Sequence, residues 1–417
     1  MRLRLEEKIF YGWVMVVTCL IVASTLWGIR FSFGVFFKSL ESEFVLNRAT
    51  TSSLFSAYML FCAIFAVLGG WAVDRYGPRI IVLLLGLFTG FSLLLASQTN
   101  SLWQLFLSYS LLLGIGTGPS YTALLSTVSR WFEKKRGFAL GIVFSGVALG
   151  TIVVSPFAAY LISNLGWRMS YIVLGLAAWF VVISLSRLLR RDPSEVGALP
   201  DGAKLETSGT GAEGKEENPK STGFSLLQAF RTRSFWLLFV VWVFLAFCQT
   251  LMLTHIVPHA TDMGISTMKA ATVLSITGGF NILSSLLTGR VSDIVGRKIP
   301  GIVCSLLLAV ALVGLIWAGE LWILYLVAVV FGLAWGGLGV IATALSADIF
   351  GGRNLGVIMG TLNMAWCIGA AIGPFVGGLV FDVSNSYSMA FAIGAAIMLV
   401  TALLMALTRR EANAGIE

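Results

Sequence analysis

Gly70-Trp71-Ala72-Val73-Asp74-Arg75-Tyr76-Gly77-Pro78-Arg79 returns 219 residues later as Gly289-Arg290-Val291-Ser292-Asp293-Ile294-Val295-Gly296-Arg297-Lys298, each copy lying between two long apolar runs. The register continues beyond the quoted stretch: Gly118, Gly137, Gly141 and Gly150 recur as Gly337, Gly356, Gly360 and Gly369 at the same offset. A period near half the chain is too long for a solenoid, whose units run to about 20–50 residues. It describes one bundle built twice.

With 57% hydrophobic and 12% charged residues and a mean hydropathy of +0.90, the chain lacks the polar surface of a soluble domain, where about a quarter of residues are charged. Its 45 glycines suit membrane helices, in which small residues let backbones approach where lipid offers no hydrophobic drive for association. Twelve runs reach the roughly 20 apolar residues that a span requires, centred near residues 24, 60, 88, 114, 150, 178, 246, 279, 309, 335, 368 and 397. The predicted fold class is all-α integral membrane, with twelve transmembrane helices in two pseudo-symmetric six-helix bundles. Residues 1–190 form the first bundle, 191–232 a cytoplasmic linker and 233–417 the second bundle. The linker holds the run from Ser208 to Pro219, whose composition buries too little apolar surface to fold, and it reads as a solvated tether. The first apolar run, about Phe10 to Phe37, is too long for a signal-peptide core and reads as a true first helix.

Basic residues set the orientation. With the amino terminus inside, only Lys38, Arg48, Arg168 and Lys269 of the 28 Lys and Arg residues fall outside, and Arg30 lies within a helix. This asymmetry follows the positive-inside rule and predicts a multi-pass protein of the cell inner (plasma) membrane with both termini cytoplasmic. The formal charge of +8 is then a topology signal; the basic residues are scattered over short loops, so no nucleic-acid partner is expected. The five cysteines, Cys19, Cys62, Cys248, Cys304 and Cys367, sit in apolar runs without metal-ligand spacing and read as small core residues. No metal or other cofactor is expected. Nothing has the form of a phosphate-cradling Walker loop, and no nucleophile–base constellation suggests an enzyme. A monomer in the lipid bilayer is expected.

The Gly-x-x-x-Asp-Arg-x-Gly-x-Arg pattern between the second and third runs, repeated between the eighth and ninth, resembles the signature loop of the major facilitator superfamily. The resemblance implies a secondary transporter working by alternating access, in which Gly70, Asp74, Arg75, Gly77 and Arg79, with Gly289, Asp293, Gly296 and Arg297, latch the outward-facing state. Ile294 stands where the first copy has Arg75, so the second latch is expected to be the weaker. The stretch Trp131-Phe132-Glu133-Lys134-Lys135-Arg136-Gly137-Phe138-Ala139-Leu140-Gly141, continuing to Ser145-Gly146, is similar to the signature of the monocarboxylate porter family, in its bacterial branch. Of that family's first-span motif Tyr11-Gly12-Trp13 remains, without the acidic lead residues.

Arg30 is the residue that carries chemistry. It lies about 8 Å outside the bilayer centre at 1.5 Å per residue, where a charge costs about 3 to more than 10 kcal/mol. Arg keeps its proton and presents a planar fork of donors suited to carboxylate, so a small organic anion is the expected substrate. Snorkelling to the outer headgroups is the competing reading. The monocarboxylate porters are known for an eighth-span Arg, and this chain has Asn281 and Ser285 there, with no basic residue between Lys269 and Arg290. Tyr121 resembles a site position of the bacterial porters. The expected substrate-binding set is Arg30, Tyr121, Asn281, His255, Gln249, Asn363 and Trp366. Asn281 reads equally as an interhelical hydrogen-bond partner. Asp348 is the one acid within a membrane run, which leaves His255 and the substrate's own carboxylate as candidate proton carriers. His259 reads as a solvated outer-loop residue. Gly146-x-x-x-Gly150 and Gly369-x-x-x-Gly373-Pro374 are expected where the bundles rock on each other, with plain close packing the competing reading.

The resulting functional expectation is secondary transport of a small monocarboxylate of the lactate or pyruvate kind, with proton symport as the candidate coupling. The alternative is an exporter of amphipathic drugs or lipopeptides.

Overall fold

The computed structural model describes residues 10–132, 135–196, 224–350 and 355–408; within the helices the side chains at Gly70, Asp74, Arg136, Val196, Leu355 and Gly356 lie outside the description. Among these residues, eleven continuous helices are long and apolar enough to cross a membrane. One of them, Gly137–Ser186, has 50 residues and at 1.5 Å per residue would measure about 75 Å, more than twice the hydrocarbon thickness of about 30 Å. It turns at Gly166 (φ +78°, ψ 166°) and is two spans. The first half therefore comprises α1 (Tyr11–Glu43), α2 (Arg48–Tyr76), α3 (Pro78–Ser97), α4 (Leu102–Trp131), α5 (136–165) and α6 (167–186). In the second half come α7 (Arg233–Asp262), α8 (Thr267–Val295), α9 (Lys298–Ile316), α10 (Leu321–Phe350), α11 (Leu355–Ser384) and α12 (Ser388–Leu407).

Large apolar side chains such as Ile64, Phe91, Phe180, Leu286, Trp322 and Leu403 stand exposed on the outer surface, as lipid-facing positions must. The predicted linker is folded at its described ends: Pro193–Val196 forms one 3₁₀ turn, and Ser225 caps a short helix at Leu226–Phe230 through a reciprocal bond with Gln228. The Ser208–Pro219 run lies outside the described residues.

The 219-residue repeat extends to the backbone. Six described residues have positive φ, and they fall into three pairs at that spacing: Val45 with Gly264, Gly77 with Gly296, Gly166 with Asn385. Gly77 and Gly296 end α2 and α8 with nearly the same angles (82°, 160° and 89°, 158°). Left-handed φ costs a residue with a Cβ, which explains a glycine at both signature loops.

Helix packing inside each half repeats as well. A Cβ on Gly150 would fall on the carbonyl oxygen of Ser24, and one on Gly369 on that of Val243, its counterpart 219 residues on. Gly146 and Gly373 similarly face α1 and α7. These motifs thus join α5 to α1 and α11 to α7 within a half; they are not the contact between halves on which rocking was expected. The halves meet through α2 against α11, α5 against α8 and the outer end of α1 against α7. At the second contact Ser275 Oγ donates to Ile152 O at 3.0 Å, the carbonyl that Pro156 leaves without its helical N–H.

Candidate functional site

A cavity of about 140 Å³ lies between the halves, lined by α1, α2, α4 and α5 and by α7, α8, α10 and α11. Its walls obey the repeat: Arg30 and Gln249, Cys62 and Asn281, Ala66 and Ser285, Tyr121 and Val340, Phe144 and Asn363, Val147 and Trp366 all line it and are each 219 residues apart. Backbone symmetry thus carries chemical asymmetry. The first half supplies the cation and a phenol, the second three amides. Since one water needs about 10–15 Å³ of such space, the cavity holds roughly ten waters or one small organic molecule.

Arg30 occupies the last turn of the straight part of α1, which is interrupted at Ser32 (φ −76°, ψ −5°). It is 8% exposed. Nη2 lies 2.8 Å from Met59 Sδ, a weak acceptor, while Nε has no hydrogen-bond partner. The guanidinium stands over the rings of Trp366 at 5.0 Å, Tyr58 at 5.6 Å and Phe31 at 5.7 Å. Rings offset part of the cost of a buried cation, about 2 kcal/mol or more each when desolvated, but an unmade bond to a buried N–H costs about 1–3 kcal/mol. No carboxylate lines the cavity, and Arg30 has no ion-pair partner among the described residues. Caged among rings, this charge does not snorkel.

Trp366 on α11 joins the two halves at this level: its ring meets Arg30, and its Nε1 donates to Gln249 Oε1 at 3.3 Å. Beside Arg30, Tyr58 Oη and Thr117 Oγ1 share a 2.6 Å bond, and Tyr109, in a π-helical stretch at Phe106–Leu112, is buried beside Tyr58 with its hydroxyl unpartnered. Such π segments recur at functional sites.

Six of the seven expected binding residues, Arg30, Tyr121, Gln249, Asn281, Asn363 and Trp366, therefore share one cavity. His255 does not line it, so its expected place at the substrate is corrected. Its helix turns it outward of Gln249 into a closure between the halves. There Nε2 donates to Pro374 O at 2.8 Å, which leaves Nδ1 to accept from Tyr387 Oη at 3.1 Å, proton positions assigned from the bonding pattern. His259 is also no loop residue; it packs edge-on against Tyr387 and Phe391.

Arg48 is the centre of that closure, although its sequence position reads only as an outer topology charge. It is 6% exposed. Its guanidinium forks onto Asp262 at 2.7 and 3.0 Å, reaches Glu41 at 3.2 Å, donates to Tyr387 Oη at 2.7 Å and covers the Phe381 ring at 3.6 Å. Lys38 adds a second cation to Asp262, and Asp382 accepts the backbone N–H groups of Arg48 and Ala49, capping α2 from the other half. Close approach is built in, since a Cβ on Gly378 would fall on Arg48 O and one on Gly34 would lie 2.6 Å from Leu253 O. The sequence places Lys38 and Arg48 near the outer helix ends of the first half and Asp262 and Asp382 near those of the second, but Glu41, Glu43 and Lys269 stand among them, so charge alone does not single out the closure.

Cavity residues Ala66, Thr343 and Met359 lie beyond Arg30 toward the signature loops, so the cavity runs from a sealed end at Arg48 toward the loop end. At that end Arg75 is exposed beside the rings of Trp71 and Tyr76, while Arg79 is exposed; the side chain of Asp74 lies outside the described residues. In the second loop Arg297 pairs with Asp293 at 2.5 Å and with Asp348 at 3.2 Å and donates to Ser292 Oγ at 2.6 Å. That loop, expected to be the weaker, holds its charges within its own half.

The model of the Major Facilitator Superfamily matches residues 16–336 and 280–416. Monocarboxylate transporter 13 of Bos taurus is 26% identical over 400 residues, covering 93% of this chain and 87% of that protein. Monocarboxylate transporter 4 of Rattus norvegicus is 25% identical over 405 residues, with 95% and 83% covered. These relatives are vertebrate, so the likeness is not confined to a bacterial branch. Among solved structures, a bacterial homolog of the human lysosomal transporter Spinster, in an inward-facing and unoccupied conformation, superposes with a TM-score of 0.72 at 17% identity, covering 97% of this chain and 96% of that one. Family model, twofold repeat and central cavity agree: the chain is a transporter, not an enzyme, and belongs to the major facilitator superfamily.

Proposed function

We propose that this transporter moves a small organic anion, a monocarboxylate, across the cell inner (plasma) membrane by alternating access, with both termini cytoplasmic. The observation that carries the reading is Arg30: a permanent charge toward the closed outer end of a central cavity, with no ion-pair partner and no acid among the described residues that line the cavity. A carboxylate would satisfy its fork, and the amides of Gln249, Asn281 and Asn363 opposite would receive the remainder of a polar substrate. The names of the relatives favour the same class. A second-half Arg is not required when the first half supplies one.

With the signature loops cytoplasmic, the conformer is open inward, and its Arg48 closure is the outer gate. The loops would latch the opposite state. A proton is proposed as the coupling ion, since a monoanion carried with one proton crosses without the potential term of about 2.3 kcal/mol per 100 mV. His255, hydrogen-bonded to Tyr387 in the outer gate, is the proposed protein carrier. Proteoliposomes given an imposed pH gradient test this with labelled lactate, pyruvate and longer acids. The gradient should drive uptake, and Arg30→Gln should abolish it. Normal acid uptake by Arg30→Gln refutes the anion site, and normal uptake by His255→Gln between pH 5 and 8 removes His255 as carrier.

A further inference from the structure

We infer that Met59 sets the affinity of the Arg30 site: its thioether holds the guanidinium in place through a bond weak enough for a substrate carboxylate to displace. The inference rests on the proposed carboxylate site at Arg30 and names the residue of this chain that keeps that site vacant.

A guanidinium presents its N–H donors in a planar fork, and a buried charge is as a rule paired. Around Arg30 the fork meets sulfur instead. Met59, fully buried on α2, accepts from Nη2 at 2.8 Å. Cys62 and Cys367 line the cavity beside it and interact with the charge electrostatically. Among the described residues no oxygen accepts a hydrogen bond from this guanidinium. Thioether sulfur is a weak acceptor.

The oxygens of the neighbouring side chains are committed elsewhere. Thr117 Oγ1 donates to Leu113 O at 2.9 Å, so the 2.6 Å bond it shares with Tyr58 takes the phenolic proton, and Tyr58 meets Arg30 with its ring. From the other half, Gln249 Oε1 accepts from Trp366 Nε1 at 3.3 Å, and Trp366 likewise turns its ring to the charge. Ring faces attract a cation without supplying a directional acceptor. The fork is therefore steadied by rings and one sulfur and left open to a stronger acceptor. An oxygen at position 59 would compete with the substrate, because hydrogen bonds to a charged group are about twice as strong as neutral ones.

The test reads initial rates of labelled lactate and pyruvate uptake against concentration, in proteoliposomes that hold the full chain under an imposed pH gradient. Met59→Gln, which brings an amide oxygen to Nη2, should raise KM about ten-fold or more, since the substrate must then displace a bond to a charged donor. Met59→Leu keeps the side-chain volume and leaves Nη2 without an acceptor until substrate arrives, so KM should fall about two- to five-fold. Both changes should fall on KM rather than on the saturating rate. A residue that only fills space gives no gain in Met59→Leu. A KM for Met59→Leu that is not below the parent's overturns the inference, as does one for Met59→Gln within about two-fold of the parent's, and either result leaves the monocarboxylate reading standing. Where Met59→Gln does not fold, Met59→Leu decides alone. If the unaltered protein moves no acid, that reading falls and the inference with it.

Discussion

Replacing Arg48 by Gln should open the sealed end of the molecule. The side chain holds Asp262 with two bonds of 2.7 and 3.0 Å, Glu41 with one of 3.2 Å and Tyr387 with one of 2.7 Å. Removing one partner of a fully buried pair costs about 3–5 kcal/mol. Asp262, however, is 30% exposed and keeps Lys38, which lowers the loss to about 2 kcal/mol, the range of a charge-assisted hydrogen bond. Asp262 and Tyr387 belong to the second half, so the loss falls on the conformer in which the halves meet here. An equilibrium shifted by about 2 kcal/mol moves about 30-fold. Ser52 reports it: buried in the closure, its Oγ is 3.5 Å from His255 Nε2. In nanodiscs, with the five native cysteines replaced, Ser52→Cys should react slowly with a charged maleimide, and adding Arg48→Gln should raise that rate 10- to 30-fold. Asp262→Asn should raise it too, and the double variant by less than the product, because both act on one network. A labelling rate within two-fold of the parent in Arg48→Gln would refute the closure as a determinant of conformation.

Val45 stands 90% exposed at φ 51°, a backbone region that costs a residue with a Cβ about 1–2 kcal/mol, and its counterpart is Gly264. Val45→Gly should therefore raise the melting temperature in detergent by a few degrees; a fall of similar size would show the strain absent. Gly369→Ala would drive a methyl into Val243 O, while Gly360 has open space around its Cβ position. Thermal melting should show the first destabilised by about 1–3 kcal/mol and Gly360→Ala unchanged or slightly more stable, and equal effects would contradict the packing of α11 on α7.

Arg30 and the five expected residues that share its cavity were legible in the sequence because polar side chains in apolar runs are few and the 219-residue offset is strict. Applied to Asn281, Asn363 and Trp366, the same offset points to Cys62, Phe144 and Val147, which do line the cavity. Helix number and ends were legible through length and turn glycines. Arg48 was not, because a charge beside a turn has the same sequence appearance whether solvated or buried, and its burial comes from Asp262 and Tyr387, far away in the chain. His255 was misplaced for a related reason. One sequence fixes the depth of a residue along α7 but not its rotation about the helix axis, and Gln249 and His255 differ in both. The glycine motifs failed as a hinge because closeness alone does not name the partner helix.

The most direct test of the central claim is counterflow, which needs binding and alternating access but no driving force. Proteoliposomes holding the full chain, loaded with unlabelled pyruvate or lactate and diluted into a trace of the labelled acid, should accumulate label transiently with the unaltered protein. Arg30→Gln, shown by gel filtration to be folded, should accumulate none, and Arg30→Lys, which keeps the charge but loses the planar fork, should fall between. Equal counterflow in Arg30→Gln would contradict the assignment of Arg30 as the carboxylate site.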